Sequence, residues 1–199
     1  MEARTRRRIE GYLDEHSGVV RTIDFQRAGL HNDYLRTLVD EGRIVRLKAG
    51  LYIASEAQTP SGFFEAELAM PRAVVCLASA LAHYDLSTYE PPAVQVAVPR
   101  GDQTKPPSFP PIRQFSFSKD RHRLGIETQR IDDRDVRIYN REKTICDAIR
   151  FRRTLGQDVV NEAIRNYLAG PRKDIDKAID YSRLLLQEGP VRNHLRISV

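Results

Sequence analysis

With 199 residues, 41% of them hydrophobic and 30% charged, the chain is long enough for one or two cored domains and is not composed like a disordered segment. No stretch of about 18 apolar residues occurs, so no transmembrane helix is expected, and the arginines of MEARTRRRIE lack the apolar run that would make them a signal peptide. A net charge of +5 (pI ≈ 9.4) favours an anionic partner, nucleic acid first. Cys76 and Cys146, far apart in sequence, fit neither a zinc site nor a disulfide framework, so a reducing cytoplasm is expected.

The first apolar periodicity, Ile9, Tyr12 and Leu13, predicts a helix over 4–16 that Ser17-Gly18 stops. Val19-Val20-Arg21 suits a short strand, and Thr22 is placed to cap a second helix marked by Ile23, Phe25 and Ala28. After the break at Gly29-Leu30-His31, Leu35, Leu38 and Val39 follow the i, i+3, i+4 rule of a third helix over 32–41. Gly42 ends it, since glycine enters the left-handed conformation without a Cβ penalty. Two β-rich runs, 43–48 and 51–54, are joined by Ala49-Gly50 as a hairpin. Two helices meeting at a tight glycine turn, with a basic hairpin behind them, spell a winged helix-turn-helix, and double-stranded DNA is the expected partner.

On that reading the exposed start of the third helix offers Asn32, Asp33, Arg36 and Thr37. Asn pairs with adenine and Arg with guanine in the major groove, whereas Asp33 suits the helix N-terminus electrostatically. In the hairpin, Arg43, Arg46 and Lys48 are expected on phosphate, with Arg46 and Lys48 leaving one sheet face by strand alternation. The arm cations Arg4, Arg7 and Arg8, with Arg6, are further candidates for phosphate contact. Each has a plainer reading as a solvated helix face or a charged strand edge.

The turn-rich stretch 55–62 reads as a linker, giving a winged helix-turn-helix domain over 1–59 and a second domain over 60–199. The second domain opens with a helix over 63–70, then a strand over 74–77 running into a helix over 79–85. Val94, Val96 and Val98 mark one face of a strand over 94–99, and the proline-rich 101–111 is an extended loop. Strands follow over 112–117, 126–131 and 136–139. Then the period turns helical at Ile145, Ala148 and Ile149, at Val160, Ala163, Ile164, Tyr167 and Leu168, and at Ile175, Ala178, Ile179, Ser182 and Leu186. Gly170-Pro171 and Gly189-Pro190 punctuate the last two. A small β-sheet followed by a helical bundle makes the fold class α+β.

Charge is unevenly shared. Residues 1–59 carry ten Lys/Arg against nine Asp/Glu, while 100–153 carry fourteen against eight. Arg113 and Arg137, each opposite apolar strand neighbours, are candidates for a second basic surface on DNA, with an acidic protein partner as the rival. Asp132, Asp133 and Asp135 could be taken for a metal cluster, but they sit where an Asp-rich turn is expected. Nothing in the sequence rises to an enzyme, a metal site or a cofactor site.

The chain resembles the AbiEi family, the antitoxins of abortive-infection toxin–antitoxin systems. The resemblance is carried by Phe25-x-x-Ala-Gly-Leu30, Leu35, Leu38, Gly42 and Ile44-x-Arg46-Leu47-x-x-Gly50-Leu51-Tyr52. It continues through Leu77-x-Ser79-Ala-Leu81-x-x-Tyr84-x-Leu86, the strand 94–100 and Arg141-Glu-Lys-Thr-x-x-Asp147. It implies a winged helix that binds inverted repeats in its own promoter and represses the operon. It also implies a second domain that opposes a nucleotidyltransferase-like toxin without needing to bind it directly. The alternatives are a plain winged-helix regulator whose second domain senses a ligand or dimerises, and a nucleic-acid-processing enzyme built on the aspartate turn.

Overall fold

The computed structural model describes residues 3–185 and 188–197. It is a mixed α+β structure with two sheets. The first unit runs α1 (Ala3–Glu15), β1 (Val19–Arg21), α2 (Thr22–Arg27), α3 (Asp33–Asp40), β2 (Ile44–Lys48) and β3 (Leu51–Ala54). Its strands form an antiparallel sheet in the order β1-β3-β2. Ile9, Tyr12 and Leu13 of α1, Phe25 of α2 and Leu35 and Leu38 of α3 close over one face of that sheet, meeting Val20, Ile44 and Ala54. Thr22 is the first residue of α2 rather than its cap, and its side chain makes no capping bond.

The second unit runs α4 (Phe63–Ala69), β4 (Val74–Val75), α5 (Leu77–His83), β5 (Val94–Pro99), β6 (Ile112–Phe117), α6 (Lys119–Arg123), β7 (Ile126–Ile131) and β8 (Arg134–Tyr139). Helices α7 (Arg141–Arg150), α8 (Arg152–Leu155), α9 (Gln157–Ala169), α10 (Ile175–Leu184) and α11 (Glu188–Ile197) complete it. Its mixed sheet has the order β6-β5-β4-β8-β7. Both faces of β5 are buried, not the valine face alone, because β5 is an inner strand. Gln95 tolerates this by accepting from the Ala78 N–H at 3.0 Å, while its own N–H donates to Ser79 Oγ at 2.8 Å.

Asp132 and Asp133 both take positive φ, 49° and 59°, and form the two-residue turn of the β7–β8 hairpin. Asp135 pairs with Arg130 instead of joining them, and among the described residues no His, Cys, Asp and Glu group is arranged to hold a metal. At the core of the helical layer, Asp147 of α7 receives Arg121 at 2.8 Å and also pairs with the fully buried Lys143. Lys143 in turn lies against the rings of Phe117 and Tyr139. Gly189-Pro190, expected as a break, falls in the first turn of α11, where a proline forfeits no intrahelical bond. Leu186, expected on the helix before it, lies outside the described residues.

The two units share apolar contact. Period-2 alternation sends Ile44 toward the helices of the first unit and Val45 and Leu47 to the other face of the sheet, joined there by Leu51, Ile53 and Val19. That other face belongs to the core cluster of the second unit, with Phe63, Ala66 and Ala69. The stretch between them is tied down. Thr59 donates from N–H and Oγ1 to the buried Glu65 carboxylate at 2.6 and 2.7 Å, and Arg134 reaches the Ser17 carbonyl at 2.9 Å.

Candidate nucleic-acid interface

One groove brings together the residues that sequence reasoning singled out on two separate elements. It lies between α3 and the β2–β3 hairpin, has a volume of about 410 Å³, and is lined by Asn32, Arg36, Arg46 and Tyr52, with Thr22 and Val39 at its sides. Arg36 is exposed because it follows the buried Leu35 by one residue, about 100° round the helix. Arg46 is exposed on β2 directly opposite Tyr52 of β3, so the two side chains leave the same sheet face. Neither arginine meets a carboxylate among the described residues.

Asn32 is half-buried at the start of α3, and its amide oxygen is buried without a hydrogen-bond partner. Thr37 is also half-buried, and its hydroxyl turns back to the Asp33 carbonyl at 3.3 Å. Asp33 stands in solvent beside His31, 3.0 Å from Nδ1, at the first turn of α3. Val39, expected on the inner face, is 37% exposed, and Ile23 of α2 is 56% exposed. Both are apolar surface rather than core, and Val39 lines the groove with Arg36 and Arg46. The sequence marks Thr22 only as a helix cap and Tyr52 only within the family resemblance, not as groove residues. The alternation of Tyr52 with the buried Leu51 and Ile53 was the available signal.

Several expected cations are engaged elsewhere. The register of β2 against β3 slips between Arg46 and Lys48, so the alternation that would place them together fails. Lys48 instead donates to the Ala69 carbonyl at 2.5 Å, at the end of α4. Arg43 is paired with Glu10 at 3.3 Å. On α1, Arg8 donates to the Ala28 carbonyl at 2.9 Å and Arg6 lies 3.7 Å from Glu41. Arg4 and Arg7, one helical turn apart, are exposed and meet no carboxylate among the described residues.

The expected second basic surface does not assemble from Arg113 and Arg137. Arg113 is exposed on the edge strand β6, with its guanidinium 5.3 Å from the Phe115 ring centre. Arg137 is half-buried because α4 crosses β8 there. Its Nε meets Glu67 at 2.7 Å and its Nη2 meets the Pro71 carbonyl. Three strand spacings separate β6 from β8, roughly 14 Å.

No family model matches this chain, and no curated protein does. Among solved structures it is similar in fold to the RV2827C protein from Mycobacterium tuberculosis, with a TM-score of 0.55 and 15% sequence identity. The likeness covers 98% of this chain and 82% of that one, so it extends across both units.

Proposed function

We propose that the first unit is a winged helix-turn-helix that binds double-stranded promoter DNA, with α3 in the major groove and the β2–β3 hairpin as the wing. The observation that carries this reading is the groove in which Asn32, just before α3, and Arg36 of α3 meet Arg46 of the hairpin, with neither arginine paired to a carboxylate among the described residues. A cation in water beside an unpaired neighbour is the arrangement that phosphate and guanine edges complete. Asp33, beside His31, serves the helix start rather than DNA, and Lys48 serves the contact between the units. The larger role follows from the resemblance to AbiEi antitoxins: a repressor of its own operon, acting at inverted repeats, that counteracts a nucleotidyltransferase-like toxin without obligatory contact.

The test is titration of full-length protein with its own promoter fragment and with random duplex. Arg36→Ala is expected to cost about 1–3 kcal/mol on the promoter and less on random DNA, because bidentate guanine contacts carry sequence information. Equal losses on both duplexes would reassign Arg36 to phosphate, and no loss on either would remove α3 from the interface. Co-expression with the neighbouring toxin gene tests the antitoxin role separately. Growth that the wild-type chain fails to rescue would sink it.

A further inference from the structure

A second concavity, of about 440 Å³, lies in the second unit where the end of β5, helix α6 and β8 meet. Its wall is cationic. Arg100, Lys119 and Arg123 are exposed, line the cavity, and meet no carboxylate among the described residues. Two more cations are held in place by carboxylates. Glu67 and the Pro71 carbonyl fix Arg137, and Asp102, 3.3 Å from Arg72, fixes that guanidinium. Asp102 stays ionised because hydrogen bonds from Thr104 hold its carboxyl below the ordinary range. A guanidinium has five N–H donors, so Arg137 and Arg72 retain donors after those contacts.

Among the described residues no Asp or Glu lines this space, while Pro99 and Ile126 give it an apolar side. His122, which donates to the Arg72 carbonyl at 2.9 Å, adds a largely neutral wall, since burial lowers its pKa. Glu67 and Asp102 already match two of the five cations, so Arg100, Lys119 and Arg123 supply the positive local potential of this ligand-sized cavity. A single carboxylate would leave most of it uncompensated. The concave shape suits a compact polyanion better than the convex backbone of a duplex.

From this geometry we propose that the cavity binds a small phosphorylated molecule with at least two phosphates, of pyrophosphate to nucleotide size. The phosphates lie on Arg100, Lys119 and Arg123, and any sugar or base lies on Ile126 and Pro99. This site is separate from the groove at α3 and does not depend on that reading.

Calorimetric titration of the full-length protein with inorganic pyrophosphate and with a nucleoside triphosphate, at physiological salt, tests it. Saturable one-to-one binding of pyrophosphate is expected. It should weaken about tenfold or more in the Arg100→Ala/Arg123→Ala variant, since charge-assisted hydrogen bonds to phosphate are lost. Lys105→Ala, which removes an exposed loop cation outside the cavity, should leave it unchanged. Absence of saturation with both probes at low-millimolar concentration overturns the proposal, as does an equal loss in Lys105→Ala. A double variant that loses promoter affinity while pyrophosphate never binds the wild type would show that these cations belong to DNA instead.

Discussion

Asn32 presents the sharpest case at the scale of single residues. Its amide oxygen is buried without a partner, so in the free protein it contributes no hydrogen bond to the fold. Once the side chain turns outward, an adenine edge offers an N–H donor to this oxygen and an acceptor to the accompanying NH₂. Asn32→Ala is therefore expected to leave thermal stability within a few degrees, because truncating an unpartnered group forfeits no bond. The same change should weaken promoter binding by about 1–3 kcal/mol if Asn32 pairs with a base. Melting curves and a binding isotherm on one preparation decide this. A drop of many degrees would mean that the amide is structural, and an unchanged isotherm would take it off the DNA.

At the scale of elements, the bulge in β2 separates two cations that the sequence places side by side. Arg46 faces the groove, whereas Lys48 caps the carbonyl end of α4. Arg46→Ala should reduce the salt dependence of DNA binding by about one in the log–log slope, the signature of one lost phosphate contact. Lys48→Ala should leave that slope alone and lower stability by about 0.5–1.5 kcal/mol. Binding measured across a salt series, with chemical denaturation alongside, separates the two. A slope change in Lys48→Ala would return it to the interface.

Periodicity located most elements correctly, β6, β7 and α9 among them, because each carries its own apolar pattern. Helix α6 was invisible for the converse reason: Lys119–Arg123 contains no apolar residue, and the side chains it buries are Arg121 and His122. Their partners, Asp147 and the Arg72 carbonyl, are distant in sequence. The cations of the groove were legible one by one. That Arg36 and Arg46 converge while Lys48, Arg43 and Arg137 are drawn away was not, since a bulge, a carboxylate 33 residues away and a crossing helix leave no local signature.

Across the whole molecule, the first sheet is covered on both faces, by the α1–α3 cluster on one and by the second unit on the other. Leu47, Leu51 and Ile53 are at most 2% exposed, and all three belong to the shared cluster. Uncovering such side chains costs up to about 1.5–3 kcal/mol each, and a fragment of this size has little stability to spare. The sequence marks residues 1–59 off as a domain, yet the packing predicts that this fragment on its own loses cooperative melting or self-associates through the uncovered face. Circular dichroism and sedimentation of the fragment test this directly, and a monomer that melts cooperatively would show that the helix-side cluster suffices. The full chain should unfold in a single transition. On the proposed reading the same face ties stability to DNA binding, because Arg46 and Tyr52 stand on the strands whose reverse sides rest on the second unit. Leu47→Ala, far from any DNA contact, should therefore destabilise the protein by about 2–5 kcal/mol and also weaken promoter binding by loosening the hairpin. A Leu47→Ala protein that is destabilised yet binds with wild-type affinity and salt slope would show that the hairpin keeps its orientation without that support.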